Sequence, residues 1–153
     1  MHYIYQVEEE LERVQKRATK IVKQCKHLSY CQRLNFLNLP TLVFRRNRGD
    51  MIEVYKILTG KYDSSLPSIL QRNSSSVTRG HSLKLHTYRP KYDLCKYFFT
   101  VRVINLWNSL PESVVSAVSV NSFKNRLDKL WATEEARFNY KAELSGSGIA
   151  RNL

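Results

Sequence analysis

The chain has 153 residues, enough for one modest domain or two very small ones. Its apolar content of 42% is ordinary for a folded protein, and no apolar run approaches the ~18 residues that a membrane span needs. The formal net charge of +12 favours polyanionic partners, chiefly nucleic acid, although many small basic domains bind nothing specific.

The first predicted element is an amphipathic helix from about Val7 to Lys26. Its acidic residues lie at the start, where they suit the helix dipole, and its basic residues follow on the polar side. Apolar residues recur at spacings of three and four, so we expect them to face the core together. They are Val7, Leu11, Val14, Ala18, Ile21 and Val22.

A second helix is predicted to begin after Ser29. The hydroxyl of Ser29 can cap the helix, Gln32 can complete a capping box, and Leu28 can pack as a hydrophobic staple. The helix should end before Leu39-Pro40, because a proline disfavours helical backbone in the residue before it.

A third helix is predicted from Pro40 or Thr41 to a C-cap at Gly60. Gly49 lies inside it and indicates either the close packing of a neighbour or a kink. The three helices together form a predicted N-terminal unit over residues 1–60.

Residues 61–81 are rich in serine and in helix breakers, which predicts a loop or linker. The alternating pattern of Ser82–His86 is a weak strand signal without an evident partner, so an extended segment lying on the helices is the alternative. Two further helices are predicted, giving a C-terminal extension over residues 82–132. The first covers residues 94–109 and has an apolar row of Phe99, Val103 and Trp107. The second follows a cap at Ser119 and has one apolar face formed by Val120, Phe123, Leu127, Leu130 and Trp131. Residues 133–153 are expected to form a polar, disordered tail.

Cationic side chains concentrate in the early helices, and no acidic residue occurs between Glu12 and Asp50. Lysine and arginine on one helix face can meet the phosphates of a nucleic acid, whereas the simpler interpretation is a solvated polar face. Arg79 and His81, on either side of Gly80, could also bind a phosphate, and a turn with a capping role is the alternative. The candidate binding residues are Arg13, Lys16, Arg17, Lys20, Lys23, Arg45, Arg46, Arg48 and Arg79.

The three cysteines show no CxxC spacing, and the group Cys25, His27 and Cys31 matches no usual structural zinc site. We therefore expect free thiols and no metal ligands in this chain. No secretory signal is evident at the start, so the expected location is intracellular, either nuclear or cytoplasmic, rather than secreted. No membrane partner is expected.

Several ordered runs of this sequence resemble one protein family. They are Leu11–Lys20, His27–Tyr30, Arg33–Leu34, Leu37–Leu42, Arg45–Ile57, Thr78–Ser82, Phe98–Pro111 and Ser119–Asp128, with a similar run at Tyr140–Glu143. The series resembles the region after the polymerase domain in jockey-like non-LTR retrotransposon reverse transcriptases, over roughly residues 8 to 131.

This resemblance implies a longer parent protein with an apurinic-type endonuclease, a Mg²⁺-dependent reverse transcriptase and a C-terminal extension. The catalytic aspartates of the polymerase palm lie upstream in that family, and this sequence contains no Asp-Asp dipeptide. No catalytic residue and no cofactor can therefore be assigned to this chain. It would hold the end of the polymerase thumb and the extension beyond it.

The sequence thus predicts a mainly α-helical chain, with an N-terminal three-helix thumb-like unit and a C-terminal helical pair joined by a Ser-rich loop. The expected function is non-catalytic contact with RNA, DNA or an RNA–DNA hybrid, and the missing polymerase domain is another candidate partner. Two alternatives stay open: a helical protein-interaction module without a nucleic-acid role, and a non-functional translated remnant of the element.

Overall fold

The computed structural model describes residues 2–62, 70–73, 80–87, 99–142 and 144, with the side chains of 2–8, 100 and 101 excepted. Over these ranges the chain is mainly helical, as predicted, and contains no extended strand. The helices are α1 (His2–Ile21), α2 (Tyr30–Leu37), α3 (Leu42–Leu58), α4 (Phe99–Asn108), α5 (Glu112–Val115) and α6 (Val120–Leu130). Short 3₁₀ turns occur at Lys23–Cys25 and Glu135–Arg137.

The chain divides into two compact units, of which the first is assembled from two segments. Among the described residues, unit 1 comprises those within Met1–Asn47 and Trp131–Leu144, and unit 2 comprises those within Arg48–Leu130. Helix α3 contributes its first residues to unit 1 and its remainder to unit 2. The boundaries of these units differ from those of the predicted segments 1–60, 61–81, 82–132 and 133–153. The division into those four segments remains a prediction.

In unit 1, helix α1 buries a different face from the one that its apolar pattern predicts. Leu11, Val14 and Ile21 are 43%, 67% and 80% exposed, whereas Glu12 and Thr19 are only 1% and 3% exposed. Ala18 is also exposed, Val22 is half-buried, and the side chain of Val7 lies outside the described residues. The prediction of the buried face was therefore wrong for this helix.

The buried polar residues of α1 are accommodated because each has a hydrogen-bond partner. The Glu12 carboxylate accepts the backbone N–H of Val43 at 3.0 Å and the hydroxyl of Tyr30 at 2.5 Å. Thr19 accepts the Nε–H of Arg33 at 3.2 Å. Burying a polar group costs little when its hydrogen bonds are replaced, so these partners can outweigh the apolar period of the helix.

The start of α2 follows the sequence prediction closely. Ser29 accepts a hydrogen bond from the backbone of Gln32, and the Gln32 side chain accepts one from the backbone of Ser29, so the capping box is complete. The helix ends at Leu37, and the C-cap residue Asn38 has a left-handed backbone with a φ of 50°. Tyr30 and Leu34 are buried in unit 1.

Helix α3 has the two end signals that the sequence indicates. The Thr41 hydroxyl accepts the N–H of Phe44 at 3.1 Å, which caps the first turn. After Leu58 the chain enters a left-handed conformation at Gly60, with φ +66°, and the N–H of Lys61 donates to the carbonyl of Lys56 at 3.0 Å. This is the Schellman arrangement that a glycine after a helix favours.

The segment after α6 packs within unit 1 instead of forming a disordered tail. Trp131 is 1% exposed and contacts the Phe44 ring edge-on at a centroid distance of 5.7 Å. Thr41 donates through its N–H to the carbonyl of Arg137 at 2.9 Å and through its hydroxyl to that of Ala136 at 3.2 Å. The expected disorder is therefore wrong for residues 133–142, because apolar and backbone partners in unit 1 hold them.

Unit 2 has an aromatic core formed by α3, α4 and α6. The Tyr55 and Phe123 rings stack at a centroid distance of 4.4 Å, and Trp107 lies 5.9 Å from Phe123. Trp107, Phe123 and Leu127 are fully buried, as their predicted faces require. The predicted start of the fourth helix, residues 94–98, lies outside the described residues, and the short helix α5 was not predicted.

The segment around Leu85 is extended but forms only an isolated bridge. Leu85 pairs antiparallel with Arg72, and the N–H of Asn73 donates to the carbonyl of Lys84 at 2.8 Å. On its other side the Asn108 amide makes both backbone hydrogen bonds of Leu85, at 2.8 and 2.9 Å. A side chain on α4 thus supplies the partner that the sequence pattern left unidentified.

Candidate nucleic-acid interface

Three buried or part-buried hydrogen bonds fix the rotation of helix α1 within unit 1. Glu12 and Thr19 are held as described above, and the Gln15 side-chain amide donates to the carbonyl of Pro40 at 3.1 Å. These residues occupy one face at spacings of three and four. The helix face on the side opposite these residues is therefore exposed to solvent.

The rotation of α1 turns a row of cations outward. Arg13, Arg17 and Lys20 are all exposed and lie at i, i+4 and i+7, which places them on one helix face. Lys23 and Lys26 follow in and after the 3₁₀ turn and are also exposed. We name these five residues the basic face.

Most cations of the basic face are not neutralised by carboxylates within the described residues. Arg17, Lys20 and Lys23 form no ion pair with any residue that the structure describes. Arg13 pairs with Glu10 at 3.0 Å, but both side chains are more than half exposed, so solvent screens this pair strongly. The positive potential of the basic face is therefore available to a polyanion.

Lys16 is half-buried between two aromatic rings at the edge of the basic face. Its Nζ lies 5.5 Å from the Tyr30 ring centroid and 5.4 Å from that of Tyr140, a distance at which cation–π attraction acts. The two rings themselves meet edge-on at 6.3 Å. Lys16 is therefore oriented by the fold of unit 1 rather than freely solvated.

Arg33 is a cation of the same basic stretch that serves the interior. It is 3% exposed and donates to Thr19 and to the carbonyls of Leu28 and Lys16, at 3.2, 2.6 and 3.4 Å. Its guanidinium also lies 5.7 Å from the Tyr30 ring centroid. Burial, followed by the hydrogen bond to Glu12, raises the pKa of Tyr30, so its hydroxyl stays a donor.

The candidate residues on α3 are divided between the two units. Arg45 is exposed and Arg46 is half-buried, both within unit 1. Arg48 belongs to unit 2, where it forms a bidentate ion pair with Asp128. Its Nε–H donates to Oδ1 at 2.6 Å and its Nη2–H donates to Oδ2 at 2.8 Å. The hydrogen bond from Arg48 to Asp128 raises the pKa of Arg48, and this carboxylate would compete with any phosphate for the guanidinium. Arg79 lies outside the described residues.

One member of the basic face was not among the candidates. Lys26 is exposed one turn beyond Lys23 and could have been included from the run of cations without acids. The contact of Tyr140 with Lys16 could not have been foreseen, because it depends on the return of the C-terminal segment to unit 1.

Other candidate chemistry is not assembled in the described part of the chain. Cys25 is buried and Cys31 is exposed, both as free thiols, and no three His, Cys, Asp or Glu residues there could hold a metal ion. His81 is 4% exposed, and its Nε2–H donates to the Trp107 carbonyl at 3.0 Å. His81 therefore packs in unit 2 and is not available to a phosphate.

None of the helices searched, all within the described ranges, combines the length and the apolar character needed to cross a bilayer. No protein-family model, no curated protein and no solved structure matches this chain. The basic face and its supporting contacts are therefore the structural evidence from which a function can be argued.

Proposed function

We propose that the chain is a non-catalytic C-terminal part of a jockey-like non-LTR retrotransposon reverse transcriptase, and that unit 1 binds the backbone of RNA, DNA or an RNA–DNA hybrid. The proposal places the protein in the nucleus or cytoplasm. Its family origin depends on the sequence resemblance. Its binding role depends on the exposed cations at i, i+4 and i+7 of α1.

The basic face suits a sugar–phosphate backbone better than it suits base edges. Its cations are long, flexible and solvent-exposed, whereas the nearby Tyr30 ring is buried and the Tyr140 ring is half-buried, so neither is free to stack on a base. Contacts with phosphate position a protein on a strand but carry no sequence information. Binding should therefore be insensitive to base sequence and sensitive to salt.

The test is a salt titration of binding to RNA, DNA and an RNA–DNA hybrid. Each phosphate contact contributes about 0.9 to the slope of log K against log salt for duplex DNA. The double variant Lys20→Gln with Lys23→Gln should lower that slope by about 1.8 and weaken binding similarly for all sequences. Fluorescence anisotropy at several salt concentrations measures both effects.

A matched control removes two exposed lysines of unit 2, Lys61 and Lys129. The variant Lys61→Gln with Lys129→Gln has the same net charge as the test variant, so equal losses from both would indicate unspecific attraction to a basic protein. A wild-type affinity that does not change with salt would rule out the proposed phosphate contacts.

The alternative of a helical protein-interaction module has its own structural support. Phe36 and Leu39 in unit 1 are 61% and 42% exposed, in addition to the apolar residues of α1. Exposed large apolar side chains that cluster on a surface are typical of interaction sites. Binding assays in which no nucleic acid is retained at low salt would favour this alternative.

A further inference from the structure

Helix α1 presents a continuous apolar stripe to solvent. The stripe consists of Leu11, Val14, Ala18 and Ile21, and its three large members are 43%, 67% and 80% exposed. Single exposed apolar residues are ordinary, but four along one side of one helix form a patch. The polar contacts of Glu12, Gln15 and Thr19 hold α1 in this orientation, so the stripe is a consequence of the fold of unit 1.

The spacing of the stripe is that of a coiled-coil seam. Its residues follow one another at intervals of three, four and three, which matches the a and d positions of a heptad. In the sequence, Ile4 and Val7 continue the same spacing toward the N-terminus. An a/d pattern is narrower than the apolar face of a helix that packs on a globular core, and it suits a single partner helix.

The charges beside the stripe are complementary to a second copy of the same helix. Glu10 and Arg17 occupy equivalent positions one heptad apart, on the same side of the stripe. If a second α1 runs antiparallel, with Leu11 opposite Val14 of the second copy, Glu10 of each chain lies opposite Arg17 of the other. A parallel pair would instead place these two residues opposite Gln15 and Val22, without an ion pair.

We propose that α1 pairs with α1 of a second copy as an antiparallel, two-fold symmetric dimer. Such an interface is isologous, so one Glu10–Arg17 pair implies its symmetry mate. The exposed pair between Glu10 and Arg13 within the chain is weak and can be exchanged on dimerisation. The inference does not depend on nucleic-acid binding: only Arg17 of the basic face takes part in the dimer contact, whereas Arg13 and Lys20 lie further from the stripe and stay accessible.

Sedimentation equilibrium of the full chain without nucleic acid tests the proposal. Between about 1 and 100 µM the mass should rise from 18.0 kDa toward twice that value. Val14→Glu places a charge in the stripe and should raise the dissociation constant at least about tenfold. Val118→Glu in unit 2 is the matched control, since Val118 is 90% exposed, and should leave the dissociation constant unchanged.

Charge reversal tests the antiparallel arrangement and avoids any loss of folding from a stripe variant. Glu10→Arg alone and Arg17→Glu alone should each weaken the dimer severalfold, because each creates two like-charge contacts. The double variant restores opposite charges and should return the dissociation constant to near the wild-type value. The antiparallel pair would be refuted if the single variants left the dissociation constant unchanged. It would also be refuted if the double variant bound no more tightly than either single variant.

A wild-type chain that stays at 18.0 kDa throughout the concentration range would overturn the proposal. In that case the stripe would be covered by a different protein, such as a preceding polymerase domain. A limiting mass above two chains would overturn it as well, since the proposed two-fold interface closes on itself.

Discussion

Buried polar side chains determine which way the first helix of unit 1 faces. Glu12 receives the backbone N–H of Val43 at the start of α3 and the hydroxyl of Tyr30 from α2, so one carboxylate joins three helices. Acids are favourable near the N-terminus of a helix, and here the acid comes from a different helix. The basic face and the apolar stripe are both exposed because this residue is buried.

Burial of His81 makes the stability of unit 2 depend on pH, and the direction of that dependence follows from the pKa shift. Burial lowers the pKa of His81 from its ordinary value of 6.5, while the Trp107 carbonyl and Glu112 oppose that shift and Lys84 adds to it. The unfolded chain then binds a proton more readily than the folded chain. The stabilisation that neutral His81 contributes is therefore fully present above pH 6.5. It is lost as the pH drops from 6.5 toward the lower pKa of the folded state.

We expect the free energy of unfolding to decrease below pH 6.5 by at most about 1.4 kcal/mol per pH unit from this group. His81→Gln keeps an amide donor for the Trp107 carbonyl and should flatten the dependence between about pH 6.5 and 5. His86→Gln, at an exposed position, is the control. Urea unfolding at a series of pH values gives the measurement, and an unchanged slope in His81→Gln would contradict the assignment.

Among the elements, α3 contains a glycine that the fold does not require. A Cβ at Gly49 would meet no neighbouring atom within 4 Å, and the helix continues unbroken from Leu42 to Leu58. The suggestion that Gly49 admits a closely packed neighbour is therefore wrong. Gly60, in contrast, has a left-handed backbone that a side chain would strain.

The two glycines should respond to alanine in opposite directions. Gly49→Ala should stabilise the protein by about 0.5–1 kcal/mol, because alanine restricts the unfolded chain and fits the helix. Gly60→Ala should destabilise it by about 1 kcal/mol, because a non-glycine residue resists the left-handed conformation. Thermal and urea unfolding of both variants provide the comparison. A loss of stability in Gly49→Ala would show that the position has a packing role after all.

For the whole molecule, the main consequence of the fold is that unit 1 is discontinuous. Trp131, Ala136 and Tyr140 come from the end of the chain and pack in the same unit as α1 and α2. The first sixty residues lack these partners. A fragment of residues 1–60, the predicted thumb-like unit, should therefore not unfold cooperatively by itself.

Circular dichroism melts of the fragment and of the full chain test this expectation. The full chain should show a cooperative transition, which would also exclude the alternative of a poorly folded remnant. Trp131→Ala in the full chain should cost about 3–5 kcal/mol, since it removes a fully buried aromatic side chain. A fragment that melts as sharply and at the same temperature as the full chain would show that residues 1–60 are an independent domain.

The sequence by itself determined the helical class, the ends of α2 and α3, and the apolar faces of α4 and α6, whereas α1 runs His2–Ile21 and not Val7–Lys26 as predicted. These features are local: the capping box at Ser29, the C-cap at Gly60, and the spacing of Phe123 and Leu127 require only neighbouring residues. It also identified a row of cations at helical spacing. Short-range hydrogen bonding and periodicity are sufficient for such predictions.

Only the tertiary structure decided which of these local features are used together. The apolar period of α1 predicted burial, yet partners from α2 and α3 make burial of Glu12 and Thr19 possible and leave the stripe in solvent. Arg33 and Arg48 were equal members of a basic stretch until Thr19 and Asp128 engaged them. Tyr140 reached Lys16 only through the return of the chain after Trp131. These outcomes depend on residues far apart in sequence, whose pairing no local pattern encodes.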